Sequence, residues 1–182
     1  MKIYYLKRLV WLPILSFFLF VNCGGNKANQ DFFDKAQTWI KVEESDGNQR
    51  LGLSSYDVNE IDGIPMALAL WISEDKINNS PLIFFTLNNV SQKIVSGDTL
   101  EFNKSQETIN LKNQEFPEGI ATFVLIPGSD PRNIIIMSNT DDNRKEELEN
   151  ILAYILNSED LSVTAKLNNN KEYSWHFHPK SE

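Results

Sequence analysis

Residues 161–178, LSVTAKLNNNKEYSWHFH, decide the fold of this chain. Apolar and polar residues alternate in both halves of the stretch, and three asparagines separate the halves. Because side chains of a strand point to opposite faces in turn, this alternation places the apolar residues of both arms on one face. Asparagine tolerates the positive φ that a tight turn demands. The stretch therefore predicts an antiparallel hairpin that buries Trp175 and Phe177.

One helix is predicted just before this hairpin. Asn143, or one of the two aspartates that precede it, can cap the helix, and Asn143 with Glu146 has the spacing of a capping box. Asn157 offers a left-handed stop at the other end. Four apolar residues at helical spacing form the stripe that faces the core: Leu148, Ile151, Leu152 and Ile155.

Short apolar segments separated by turn residues predict strands through the rest of the chain. Two of them, residues 66–73 (MALALWIS) and 82–87 (LIFFTL), are apolar on both faces, which favours covered strands. We place Trp71, Phe84 and Phe123 of these and later strands in the core, together with Leu152 of the helix. The other predicted strands are residues 38–42, 50–56, 99–102, 108–111, 121–126 and 133–137.

The predicted fold class is mainly β (α+β). A length of 182 residues with no internal repeat and no linker suits one domain, which we place at residues 31–182. We expect an antiparallel β-sandwich or curved sheet, with one helix before a C-terminal β-hairpin.

The first residues have the pattern of an export signal. A short basic segment, residues 1–8, precedes thirteen mostly apolar residues, 9–21. A membrane-spanning helix needs about 20 apolar residues, so the run suits a signal peptide better than an uncleaved anchor. Cys23, the single cysteine of the chain, follows at once. An ordinary signal peptide would call for an A-x-A-like cleavage site, which this stretch lacks.

Residues 19–23, LFVNC, resemble a bacterial lipobox in the relaxed form of spirochaete lipoproteins, which accept bulky residues and asparagine before the cysteine. The resemblance implies a signal peptide over residues 1–22 and a Cys23 that carries acyl chains such as palmitate. It also implies a lipid-anchored position in the cell envelope, on the outer membrane or the periplasmic face. Residues 23–30 then form a polar tether.

The order of strands, helix and hairpin over roughly the last hundred residues resembles the periplasmic invasion-associated-locus-B type of β-domain. That resemblance implies a β-rich envelope domain. The cysteine pair expected in such domains is absent here.

The charge of the chain argues against nucleic acid as a partner. Residues 1–22 hold three of the 17 basic residues and no acid, so the rest carries 14 basic and 25 acidic residues, a net charge of −11. A domain this acidic repels polyphosphate. The membrane, reached through Cys23, is the predicted partner, and a protein or envelope ligand remains to be found.

His176 and His178 are the weak candidates for a metal site. They are the only two histidines, and their strand spacing places both on one face. Two ligands do not define a site, so we assign no metal and expect both rings to be solvated. Residues 57–63 (DVNEIDG) superficially suggest a calcium loop, but their spacing fails the EF-hand template, and an Asx-rich turn explains them better.

No catalytic pattern stands out. The sequence contains no G-x-S-x-G elbow, no G-x-G-x-x-G and no P-loop, and it predicts neither a catalytic residue nor a cofactor. We therefore expect a lipid-anchored envelope protein, not an enzyme, whose β-rich domain has a binding or structural role. The alternatives are a surface module that binds a host macromolecule and an envelope hydrolase or metal-dependent enzyme.

Overall fold

The computed structural model describes residues 38–43, 49–75, 79–90, 100–139 and 143–180. The predicted signal peptide, Cys23 and the tether lie outside these residues. The described part contains ten strands and one helix: β1 (Ile40–Glu43), β2 (Gln49–Ser54), β3 (Asn59–Ile61), β4 (Ile64–Asp75), β5 (Ser80–Asn89), β6 (Thr108–Lys112), β7 (Ile120–Leu125), β8 (Asn133–Ile136), α1 (Arg144–Leu156), β9 (Leu161–Lys166) and β10 (Glu172–Phe177).

All strands belong to one antiparallel sheet with the order β1-β2-β4-β5-β8-β7-β6-β9-β10, and β3 pairs with β4 beside this path. The predicted mainly-β class, with one helix before a C-terminal hairpin, is confirmed. Most predicted strands are present. The segment 99–102 is reduced, in its described part, to an isolated bridge between Phe102 and Leu167.

β7 pairs with different strands along its length, and the sheet curves at this point. Its first four residues pair with β6, whereas Val124 and Leu125 pair with β8. The far strand, β10, returns to the connection between β2 and β3. There the Tyr56 amide donates to the His176 carbonyl over 2.9 Å, and the Asn59 side-chain amide donates to the Ser174 carbonyl over 2.8 Å.

The two ends of the described fold also meet. The Trp39 indole N–H, one residue before β1, donates to the Pro179 carbonyl over 2.8 Å, two residues after β10. The residues that flank the first and last strands are therefore close together, and the strands between them surround the core.

The C-terminal hairpin forms with the predicted faces. Val163 lies opposite Trp175 and Leu161 opposite Phe177. Trp175 and Phe177 are fully buried, and the Trp175 indole N–H donates to the Met66 carbonyl of β4 over 3.2 Å. The hairpin is thus bonded across the core to the other half of the sheet.

The main core lies between the two halves of the curved sheet and under α1. Leu148 and Ile155 of the helix are buried, and Ile151 and Leu152 pack against the same core while partly exposed. The strands contribute most of the remaining buried residues, among them Leu53, Leu68, Leu70, Phe85, Phe102, Leu111, Ile134 and Val163.

Three of the predicted core residues need correction. Phe123 is 42% exposed, so its assignment to the core is wrong. It belongs to the face of β7 that points away from the core, because Ile120 and Val124 occupy the inner face. Leu152 is only partly buried at the edge of the main core. Trp71 is partly buried in a second, smaller cluster around Phe84 and Ile135 on the outer face of the sheet.

Both ends of the helix differ from the prediction. Asn143 is the N-cap residue, but its side chain makes no capping hydrogen bond. Asn157 has right-handed backbone angles (φ −86°, ψ −6°), so the predicted left-handed stop is wrong.

Candidate functional site

A groove lies between β7 and α1. Its volume is about 630 Å³, within the range of small-molecule sites. The strand side consists of Ile120, Ala121, Thr122 and Phe123, and the helix side of Asn143, Glu146, Glu147, Asn150, Ile151 and Tyr154, with Asn139 between them.

The groove exists because the chain leaves the sheet after β8. The Met137 amide donates to the Phe123 carbonyl over 2.9 Å, as a further rung of the β7–β8 ladder. The next residues turn toward the helix: the Ser138 hydroxyl and the Asn139 amide both donate to the Glu147 carboxylate, over 2.5 and 2.9 Å. Glu147 thereby ties residues 138 and 139 to the first turn of α1, beside the groove.

Aromatic and polar groups share the walls of the groove. Phe123 exposes 42% of its surface. The Tyr154 hydroxyl donates to the Leu111 carbonyl over 3.2 Å, which fixes its ring against β6. Burial, and then the nearby Glu115 carboxylate, raise the pKa of Tyr154 above its ordinary value of 10.0. The phenol therefore stays neutral at physiological pH.

Thr122 is the least expected residue of the groove. It is 3% exposed, and its hydroxyl oxygen has no hydrogen-bond partner although it is buried. A buried hydroxyl without a partner costs free energy, so such groups in native proteins call for an explanation.

A second cluster, formed by Tyr56, Asp57, His176 and His178, lies where β10 meets the β2–β3 connection. Asp57 accepts two hydrogen bonds from one residue: the His176 amide donates to Oδ1 over 2.8 Å, and His176 Nδ1 lies 2.8 Å from Oδ2. The carboxylate thus fixes the orientation of the imidazole, with Nε2 on the opposite side of the ring.

Tyr56 stacks on both histidines of this cluster. Its ring centroid lies 4.4 Å from that of His178 and 5.8 Å from that of His176. Its hydroxyl donates to Asp160 over 3.3 Å. Burial raises the pKa of Tyr56 above 10.0, and the Asp160 charge and hydrogen bond raise it further, with a smaller effect of Asp57.

The two predicted metal candidates therefore have protein partners. His176 is engaged by Asp57, and His178 Nδ1 lies 2.9 Å from the Glu159 carbonyl oxygen. Both side chains are also partly exposed to solvent, 36% for His176 and 39% for His178. Within the described ranges, no group of three or more histidine, cysteine, aspartate or glutamate side chains is placed to hold a metal ion.

Residues 57–63 include a short strand and the turn that follows it. Asn59–Ile61 forms β3, and Asp62 and Gly63 have φ values of 52° and 78° in the turn to β4. Two successive positive φ values are typical of a type I′ hairpin turn. The Asx-rich turn is thus confirmed for its last two residues, whereas Asp57 is engaged by His176.

No protein-family model matches the chain, and neither the curated proteins nor the solved structures provide a significant match. Function must therefore be inferred from the site itself.

The candidate site was missed by sequence reasoning in two respects. Phe123 carried the signal of an apolar strand, but a continuous apolar run does not tell which residue faces outward. Asp57 lies 119 residues from His176 in the sequence, and spacing gives no information on such a contact.

Among the described residues, no helix is long and apolar enough to cross a membrane.

Proposed function

We propose that this chain is a lipid-anchored protein of the cell envelope whose β-rich domain works by binding a ligand in the groove between β7 and α1. The lipid anchor rests on the lipobox-like residues 19–23 and on Cys23 as the single cysteine. The binding role rests on the groove, and chiefly on the exposed Phe123 that lines it.

The physical reason for a binding role is the composition of the walls. An exposed aromatic ring supplies apolar contact area, and the exposed amides of Asn143 and Asn150 supply polar contacts. Binding sites combine an apolar lining with a few polar groups in this way.

The anchor is tested by the mass of the mature N-terminus from native membranes. A lipid-modified Cys23 at the N-terminus, and release of a Cys23→Ala variant from the membrane, are the expected results. An unmodified Cys23 or an intact leader would contradict the anchor.

The groove is tested separately, by amide NMR of the purified protein with three probe classes: a degenerate peptide mixture, peptidoglycan fragments and anionic lipid micelles. At least one class should shift the signals of residues 120–123 and of the first turn of α1, and Phe123→Asp should abolish the shift. Signals that respond only elsewhere would contradict a groove ligand.

Hydrolysis is a second candidate function, favoured by the Asp57–His176 pair. In a Ser-His-Asp triad, a carboxylate orients the imidazole of the general base through Nδ1 in the same way. Within the described residues, however, no serine, threonine or cysteine side chain hydrogen bonds to the His176 ring. His176→Ala would abolish a hydrolytic activity and leave groove binding unchanged.

A further inference from the structure

β7 has one side that is only partly paired. Toward β8, pairing is restricted to Val124 and Leu125, plus the hydrogen bond accepted by the Phe123 carbonyl. Toward β6, the strand is paired from Ile120 to Phe123. In the described part of the chain, no strand pairs with residues 120–122 on the side that faces β8.

The direction of the main-chain groups identifies which residue is open. The Val124 amide donates to the Glu107 carbonyl, toward β6, and the Phe123 carbonyl accepts from Met137, toward β8. Because these directions alternate along an antiparallel strand, Ala121 presents both its N–H and its C=O to the β8 side. Ala121 is exposed and lines the groove.

An open strand edge beside a groove is the geometry that takes up an extended peptide. In such complexes main-chain hydrogen bonds supply affinity, and pockets for alternate side chains supply specificity. Here Phe123 and Ala121 are both exposed on the outer face of β7, so the side chain of Phe123 lies beside the open edge.

The charge of the groove selects the peptide. Glu146 and Glu147 lie in the first turn of α1, and none of the described residues that line the groove is basic. The Glu147 carboxylate already accepts hydrogen bonds from Ser138 and Asn139, whereas the Glu146 side chain is exposed. A lysine or arginine of a ligand would find a partner there, and an acidic ligand would be repelled.

We propose that the groove binds an extended basic segment of a partner protein, which pairs with Ala121 as an added strand and directs a lysine or arginine toward Glu146. This inference rests on the proposed groove function and names its ligand class.

The experiment uses the purified protein and a short synthetic peptide of alternating lysine and valine, with affinity measured by calorimetry at low and high salt. Two control peptides share its length: one with glutamate for lysine, and one N-methylated at every residue, which has no N–H left to pair as a strand. We expect saturable binding of the first peptide, weakened by salt, and a loss of at least about tenfold for either control.

Two variants of the protein test the two contacts. Ala121→Pro removes the open N–H without touching the β6 ladder, because proline is tolerated where the N–H faces away from a partner strand. It should weaken the peptide about tenfold. Glu146→Gln should weaken it about threefold and reduce the salt dependence, whereas Glu149→Gln, on the same helix outside the groove, should have no effect.

Four outcomes would overturn the inference. Equal affinity for the N-methylated peptide would exclude strand pairing. Concentration-dependent self-association that Ala121→Pro abolishes would assign the edge to a second copy. NMR contacts between residues 24–37 and Ala121 in the protein alone would assign it to the chain itself. In the fourth outcome, the peptide fails to bind while peptidoglycan fragments or lipid micelles shift the amide NMR signals of the groove. That result would contradict the peptide inference and leave the proposed function standing.

Discussion

The indole ring of Trp71 lies over Gly52, its partner across the β2–β4 pair. A Cβ atom at Gly52 would lie 2.8 Å from Cε3 and 3.0 Å from Cη2 of that ring. The Arg50 guanidinium lies 4.6 Å from the ring centroid, and the Phe84 ring stacks at 6.3 Å. The small outer-face cluster therefore depends on the absence of a side chain at residue 52.

This relationship predicts that the effect of Gly52→Ala on stability depends on Trp71 and can change sign when Trp71 is removed. Gly52→Ala should destabilise the protein by about 1–2 kcal/mol, because the new methyl group displaces the indole. In a Trp71→Ala background the same substitution should be neutral, or stabilising by about 0.5 kcal/mol, because glycine weakens a strand. Denaturant unfolding of the four proteins measures the coupling. Additive effects would contradict the overlap.

Trp175→Ala should cost about 3–5 kcal/mol of stability, because the ring is fully buried and its indole N–H binds the Met66 carbonyl. Chemical denaturation gives the value. Phe116→Ala is the control, since Phe116 is 51% exposed, and it should change stability by less than about 1 kcal/mol. Equal midpoints for Trp175→Ala and the parent would exclude the role of Trp175 in the core.

Asn113→Ala should cost about 1–3 kcal/mol. The buried Asn113 side chain donates to the Ser158 hydroxyl over 3.0 Å and accepts from the amides of Glu115 and Phe116, over 3.0 and 2.9 Å. It thereby ties the β6–β7 connection to the end of α1. Thermal unfolding tests this, with the exposed Gln114→Ala as control. A similar loss for both variants would argue against the buried network.

Tyr56 should titrate above its ordinary pKa of 10.0 in the folded protein. A raised folded pKa favours the neutral phenol, so its contribution to stability is complete below the unfolded value and is lost as the pH rises through the folded one. Asp160→Asn should lower the pKa of Tyr56 but not return it fully, because burial is the larger cause.

The measurement is a ¹³C NMR titration of the tyrosine rings, with Tyr56→Phe for assignment. Tyr154 serves as an internal control, since its pKa is raised by burial and Glu115 and not by Asp160. An unchanged Tyr56 titration in Asp160→Asn would contradict the contact between the two residues.

The sequence predicted those parts of the fold that depend on local pattern. Alternation in residues 161–178 is enough to place Trp175 inward, since one face of a hairpin must be buried. The stripe on α1 similarly predicted Leu148 and Ile155 as core residues. These predictions need no knowledge of which strands are neighbours.

The site depends on neighbours, and for that reason it could not be predicted. Phe123 is exposed because Ile120 and Val124 occupy the core face of β7, and the apolar run of residues 121–126 does not tell which face is inner. The strand order places β7 between β8 and β6, so its two sides meet residues from before and after it in the chain. The Asp57–His176 pair depends in the same way on the return of β10.

The hydrogen bond from Trp39 to Pro179 brings the two ends of the described domain together. Its entry and exit lie within the length of one side chain, so a short linker from residue 180 to residue 38 would close the chain without straining the sheet. New termini could then be opened at the exposed turn of Asp62 and Gly63. By the same geometry, the whole domain could be inserted into a surface loop of another protein, with both connections leaving from the same point.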